Sequence, residues 1–510
     1  MGLRDLFRTK SLDRLLHDTE QSERKLDRRL GPLQLTFLGI GGIIGAGIFS
    51  TVGTAAAGGS EHAGAGPGLV LSFIIVAISC GFAALCYAEF ASLVPISGSA
   101  YTYAYATLGE LVAWIIGWDL IIEYAVGNVG VAISWSAYFQ ELLRGFSIEW
   151  PNWLGVDYRT ASQAAKRVAD TAGNLTEIGV SVQRAAAAYN EAPRVAGVPI
   201  LFNVPAFGIV AFLTWILVRG IRGSATFNTS MVVLKLAIIG LFVGVGALYV
   251  TPENWSPFAP NGFKGIASAA AIIFFAYIGF DAVSTVAEET KEPQRNMPIG
   301  IIASLVVCTV IYVAVAIVLT GMVKWNKLGT AEPLATAFSA LNLNWMAGIV
   351  SFGAVFATTS VLIVFQLGQP RIFFSMARDG LLPSWAARVH PKYRTPHLTT
   401  IVTGLVVATF AGTSNLDEVV ELTNIGTLFA FVIVAAGVIV LRIKDPNRPR
   451  AFKAPLFPFV PLAAIVCCGW LMTQLPALTW WRFLVWLAIG LVIYFLYGFW
   501  KSKQRESTKT

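Results

Sequence analysis

Long apolar runs, broken by short polar stretches, follow one another along nearly the whole chain. They fall at about 33–57, 67–92, 111–140, 199–219, 226–250, 265–287, 298–323, 345–376, 399–412, 419–442, 455–475 and 481–500. A helix of about 20 apolar residues crosses the hydrocarbon core of a bilayer. The pattern therefore predicts an all-α polytopic membrane protein of about twelve transmembrane helices. Polar sequence brackets the spans as a tail over 1–30 and a shorter one over 501–510. A loop of about 150–198 between the third and fourth runs is polar but helix-prone, and reads as an insertion outside the membrane.

Two of the runs are interrupted. Residues Leu38 to Phe49 carry five glycines, Gly39, Gly41, Gly42, Gly45 and Gly47, in the middle of the first run. Glycine is a poor helix former and lets another backbone approach closely. On its own this cluster fits helix packing through small residues as well as a broken helix. The sixth run is interrupted too: Ile272 to Thr285 contains Gly279, with Asp281 and Ser284 after it. Irregular backbone within a membrane survives only where protein or a cavity covers it. Paired interruptions in corresponding positions of two halves point to a substrate site built from half-helix ends.

Composition confirms the class and narrows the chemistry. The 510 residues are 55% hydrophobic and 13% charged, with mean hydropathy +0.66. The net charge of +8 does not point to nucleic acid. Most Lys and Arg fall in the tails and even-numbered loops, which places both termini in the cytoplasm by the positive-inside rule. Lys25, Arg28 and Arg29 stand before the first span, where an anionic membrane surface attracts them. The Tyr-rich stretch 95–110 suits an interfacial turn or short helix. The first 30 residues lack the apolar core of a removable signal peptide. All five cysteines lie within predicted spans and read as free thiols. All four histidines lie in the tail or loops, so none is placed to carry a proton at mid-membrane. Asn174-Leu-Thr176 fits a glycosylation sequon.

Charged residues inside spans are expensive and mark function by default. Asp119 and Glu123 stand four residues apart on the third span, hence on one helix face. Lys235 sits about nine residues into the fifth span, roughly 14 Å deep. An ammonium there either pairs with a carboxylate or gives up its proton; a permanent structural cation is the alternative. Arg371, Arg378 and Asp379, in the segment that ends the eighth span and begins the next inner loop, fit a cytoplasmic gate or a solvated charged face.

Three segments carry a family resemblance. Gly39-Ile-Gly-Gly-Ile-Ile-Gly-Ala-Gly-Ile-Phe49, Phe274-Phe-Ala-Tyr-Ile-Gly-Phe-Asp281 and Met376-Ala-Arg-Asp-Gly-Leu-Leu-Pro383 resemble motifs of the amino acid–polyamine–organocation superfamily. The stretch Glu110 to Glu123 is similar to bacterial relatives of its cationic amino acid transporter branch. The resemblance covers roughly residues 30–500 and implies a LeuT-like fold. In that fold 31–250 and 251–442 form inverted five-helix repeats with discontinuous helices 1 and 6, and 443–500 adds two peripheral helices. It implies a substrate carboxylate on the amides around Gly45, Ala46 and Gly47, beside Ile44. The substrate ammonium would meet carbonyls near Ile43, Phe275, Ala276 and Ile278, with Phe275 as an aromatic gate. Phe365 and Gln366 would line the side-chain pocket. Lys235 would replace a coupling sodium ion, with Glu123 as its acidic counterpart or a link to the amine. Asp119, Asp281 and Arg371 would complete a gate or polar network.

Relatives often carry Ser or Thr where this chain has Ala46, and Phe365 is bulky for a cationic side chain. Both point towards small neutral L-amino acids such as alanine, with cationic ones a secondary class. The expectation is a proton-coupled symporter of the cell membrane working by alternating access, with no cofactor, no metal and no sodium requirement. An exchanger or a transporter-like sensor shares the same site. Partners are the substrate and the lipid bilayer; oligomeric state and accessory subunits are open. Nothing indicates an enzyme: there is no phosphate-binding loop and no intramembrane histidine or Cys/His cluster.

Overall fold

The computed structural model describes residues 6–9, 30–59, 62–93, 99–170, 180–219, 225–393 and 395–502. Most of the N-terminal tail (with Lys25, Arg28 and Arg29), residues 95–98, the 174–176 sequon and the last eight residues lie outside them. The described residues are mostly helical. Pro32–Ile43 (α1) leads through a break and a π turn, Gly47–Thr51, to Val52–Ala57 (α2). Leu69–Leu93 (α3) is followed by the short Ser99–Thr107 (α4), where the Tyr-rich stretch predicted an interfacial helix. The third span is Glu110–Ile121 (α5), a π turn Ile122–Val126, and Gly127–Gly145 (α6).

The polar loop folds as two helices, Tyr158–Asp170 (α7) and Val180–Glu191 (α8), which pack on each other, and a two-residue antiparallel pairing of Arg194–Val195 with Val198–Pro199. Val204–Arg219 (α9) and Ala225–Gly246 (α10) follow. Then comes Gly262–Ile273 (α11), continued by 3-10 segments Phe274–Tyr277 and Asp281–Glu289 on either side of a second break. The rest is Pro293–Met322 (α12), Pro333–Ala340 (α13), Asn344–Arg378 (α14), His397–Thr413 (α15), Leu416–Lys444 (α16), Phe459–Thr473 (α17) and Ala477–Ile493 (α18).

Among the described residues, eight helical stretches are long and apolar enough to cross a membrane, or nine if α1 and Gly47–Ala57, bent by 43°, count as one span. Three more apolar helices, α9, α15 and α17, are shorter. The bundle has a graded interior. Gly262–Ser284, the sixth span, has 94% of its most apolar window buried, whereas Ala477–Lys501 has 28% buried. In lipid an exposed apolar face costs nothing, so the gradient separates a central element from a peripheral one. The interrupted sixth span is thus central, residues 39–52 of the first span are buried too, and α12, α3 and α16 pack around the two.

Candidate functional site

The first break comes at Ile44, whose extended backbone (φ −75°, ψ 99°) ends α1 before the π turn begins at Gly47. The second comes at Ile278 (φ −60°, ψ 136°) and Gly279 (φ +117°). Gly279 holds a left-handed conformation that side chains resist. The two breaks touch backbone to backbone. A Cβ on Gly47 would fall 2.2 Å from Ala276 Cα, and one on Gly279 would fall 2.7 Å from Gly42 C. The glycines therefore serve both readings at once: they permit the breaks and let the broken segments close on each other.

A broken helix leaves carbonyls without partners, and in a membrane these must be met by other groups. Three side chains meet them. Lys235 Nζ, on α10 and 1% exposed, donates to Gly41 O (2.8 Å) and Ile44 O (3.0 Å). Tyr312 Oη, on α12, donates to Ile43 O (3.0 Å) and Ala276 O (2.9 Å), bridging the two breaks. Asn424 Nδ2, on α16, donates to Ala271 O (2.7 Å) and Ile272 O (2.9 Å), the last turn of α11. Sequence reasoning found Lys235 through its charge. It missed Tyr312 and Asn424, whose only signal was a lone polar group in an apolar run.

Two expectations change. No ion pair joins Lys235 to Glu123 among the described residues. Glu123 lies in the π turn, which rewinds the helix, and its carboxyl faces Asp281 at the second break, with Thr427 beside it. Asp119 is buried before that turn against Gly426 of α16, and neither of its oxygens accepts a hydrogen bond. A π turn in a span is a frequent mark of function. Lys235 and Glu123 thus attend the first and second breaks respectively.

Phe365 and Gln366 also part company, because neighbours on a helix diverge by about 100°. Phe365 meets the Tyr124 ring (centroids 5.6 Å apart) and the backbone at Gly127. Gln366 instead takes Asn128 on α6 and Thr214 on α9 as partners, in a polar junction of three helices. Phe275 approaches Gly130, and Val361 covers Gly45. The side chains packed around the breaks here, Val361, Phe365, Tyr124 and Phe275, are aliphatic or aromatic. Gly45, Ala46 and Gly47 start the second half of the broken span, where first-turn amides have no partner in their own helix.

Both ends of the cleft are shut. Residues 41–49 and 271–281 are buried throughout. On one side Ser50 contacts Ser134 and the Ala331 carbonyl, and Tyr138 donates to Phe49 O. On the other, Lys291 N donates to Leu30 O (2.8 Å) and Tyr101 Oη to Asp379 Oδ2 (2.8 Å). Arg371 is exposed at the end of α14 and joins no ion pair among the described residues. Of Arg371, Arg378 and Asp379, it is Asp379 that makes this cross-helix bond. The described residues hold no group of His, Cys, Asp and Glu suited to a metal ion.

Comparison with known proteins agrees with this architecture. Residues 30–497 match the amino acid permease family. A branched-chain amino acid permease, BcaP, of Bacillus subtilis (strain 168) is 47% identical over 98% of this chain and 99% of its own length. A methylthioribose transporter of the same organism is 44% identical over 97% of this chain and 98% of its own. Cationic amino acid transporter 9, chloroplastic, of Arabidopsis thaliana is 36% identical over 82% of this chain and 67% of its own.

Proposed function

The chain belongs to the amino acid permease family, and from that premise we propose that it is a secondary carrier taking up neutral L-amino acids by proton-coupled alternating access. The reading counts the three shorter apolar helices as full spans, giving twelve in a LeuT-like arrangement of two inverted repeats, with both termini cytoplasmic in the cell membrane. The substrate carboxylate sits on the amides of Gly45, Ala46 and Gly47, where a half-helix begins and its dipole favours an anion. The ammonium meets the carbonyl side of the breaks, competing with Tyr312 for Ile43 O and Ala276 O. The side chain points to Phe365, Tyr124 and Val361. Val361, Phe365 and Phe275 are apolar, which supports a neutral substrate of small or branched shape. The nearby carboxylates Glu123 and Asp281 face each other beside Tyr124 at the second break. Methylthioribose belongs in the same ligand screen, given the 44% identity to a transporter of that name.

The observation that carries the coupling is the grip of Lys235 on Gly41 O and Ile44 O. Protonated, the ammonium holds the first break closed with charge-assisted bonds. On losing its proton the amine keeps only weaker neutral bonds to those carbonyls and no longer leaves an unpaired charge in the membrane. Glu123 and Asp281 offer a second place for a proton at the other break.

The test is uptake into proteoliposomes under an imposed proton gradient. Wild type accumulates labelled substrate above equilibrium. Lys235→Gln retains substrate-induced thermal stabilisation but loses accumulation. Gradient-driven accumulation by that variant at wild-type rate would end the coupling proposal. Binding without any movement of label in wild type would make the protein a sensor, and counter-flow without net accumulation would make it an exchanger.

A further inference from the structure

The membrane-facing side of α12 carries a crevice of about 870 Å³ that has no part in the paired breaks. Its mouth is polar, with Glu292, Gln294 and Arg295 at the first turn of the helix. Its shaft is apolar: Ile299, Ile302 and Val306 form one wall, and Phe452, in the loop after α16, stands opposite. From Arg295 to Val306 the shaft runs roughly 16 Å along the helix axis. That is about half the hydrocarbon thickness of a bilayer, hence one leaflet.

Two features decide the occupant. Arg295 is exposed and its guanidinium joins no ion pair or hydrogen bond among the described residues, so a cation waits at the mouth. Below the crevice the same helix face stays open, with Val306 57% and Val310 67% exposed, so the shaft opens sideways to the bilayer. A soluble anion would fill the mouth and leave the shaft empty. An amphiphile with one anionic head and an acyl chain fits both parts.

We infer that this crevice binds one anionic glycerophospholipid, with its phosphate at Arg295 and Gln294 and an acyl chain along Ile299 to Val306 beneath Phe452. Glu292 shares the mouth and opposes the phosphate, so the contact rests on Arg295. By the topology in the functional reading above, the lipid belongs to the cytoplasmic leaflet; its binding does not depend on that reading. The site adjoins the junction that closes one side of the cleft. Lys291, next to the mouth, donates its amide to Leu30 O, and Asn296 Nδ2 donates to the Lys291 carbonyl. A lipid gripping the base of α12 therefore steadies the strap between the first span and the sixth.

The experiment titrates the full-length protein in a neutral detergent with phosphatidylglycerol, phosphatidylcholine and sn-glycerol 3-phosphate. It reads the apparent melting temperature and, by native mass spectrometry, the lipid bound. Wild type should reach half-maximal stabilisation at about fivefold lower phosphatidylglycerol than phosphatidylcholine, the effect of one basic side chain at a membrane surface. Arg295→Gln should erase that preference. Ala303→Trp, which fills the shaft, should weaken both lipids. Glu292→Gln, which leaves Arg295 in place, should widen the preference and reads the same contact in the opposite direction. Equal response to the two lipids in wild type, or an unchanged preference in Arg295→Gln or Glu292→Gln, overturns the inference. So does equal stabilisation by glycerol phosphate, which would make the mouth a soluble-anion site. Labelling of Gln294→Cys by an impermeant reagent on intact cells would overturn the leaflet and the topology while leaving lipid preference intact.

Discussion

At the scale of single residues, the cost of a methyl group separates glycines that shape the site from glycines that only fill a helix. Gly47→Ala would drive a Cβ into the backbone of Ala276, and backbone cannot move aside as a flexible side chain can. Overpacking of this kind costs about 1–3 kcal/mol or more. Gly81→Ala on α3 meets nothing within 4 Å and removes a poor helix former, so its effect should be neutral or slightly stabilising. Thermal unfolding and uptake of the two variants, measured together, check the contrast; equal effects would show that the breaks do not need their glycines. Tyr312→Phe keeps the ring but removes the donor to Ile43 O and Ala276 O. Leaving a buried polar group without its partner costs about 1–3 kcal/mol. If the substrate ammonium takes the same carbonyls, as proposed, this variant should also bind substrate more tightly, read as a lower half-saturation concentration.

At the scale of elements, α13 behaves as a titratable cover. Ala331 and Glu332 lead into it, and the Ala331 carbonyl contacts Ser50 of the first span. Burial pushes the Glu332 carboxyl from its ordinary 4.5 up to about 7. Glu141, at the end of α6, adds to the shift, and Arg144 of α6 and Arg184 of α8 oppose it. A group whose folded value lies above its unfolded value stabilises the fold fully below the unfolded one, and loses that contribution as pH rises through the folded one. The packing of α13 should therefore weaken between about pH 4.5 and 7. Apparent melting temperature of the purified protein should fall across this window, and Glu332→Gln, neutral throughout, should flatten the fall. The insertion takes part in the same corner: Arg184 and Arg144 both pair with Glu141, at 3.1 and 2.7 Å. Farther off, Arg159 of α7 and Arg482 of α18 pair with Glu418 of α16. Helices α7 and α8 are thus tied to the ends of spans and do not hang free. Each exposed pair is worth little alone, under about 1 kcal/mol.

At the scale of the whole molecule, the arrangement is an apolar shell around two broken rods, shut at both ends. Closure on both sides fits a carrier between its two open states, since a channel needs a continuous path. The five cysteines are free, and four are buried. Reductant should leave the melting temperature unchanged, and a loss of stability on reduction would reveal a bridge that the structure does not contain. A reporter fused after residue 510 and active only in the cytoplasm should be active, as the distribution of Lys and Arg requires.

The sequence by itself determined the class, the place of both interruptions and the isolated cation. Hydrophobic run length, glycine clusters and buried charge are local properties, and lipid leaves helices few alternatives. Which groups meet across the bundle is another matter. Lys235 and Glu123 look like partners along the chain, yet the π turn at Ile122–Val126 and the positions of α10 and α16 send them to different breaks. Phe365 and Gln366 are neighbours along the chain, yet the helix turns Gln366 towards Asn128 and Thr214 and Phe365 towards Tyr124. Tyr312 and Asn424 carried no local mark beyond a lone polar group in an apolar run. Their role exists only because the breaks leave carbonyls without partners, and only the packed bundle decides which side chain is close enough to satisfy them.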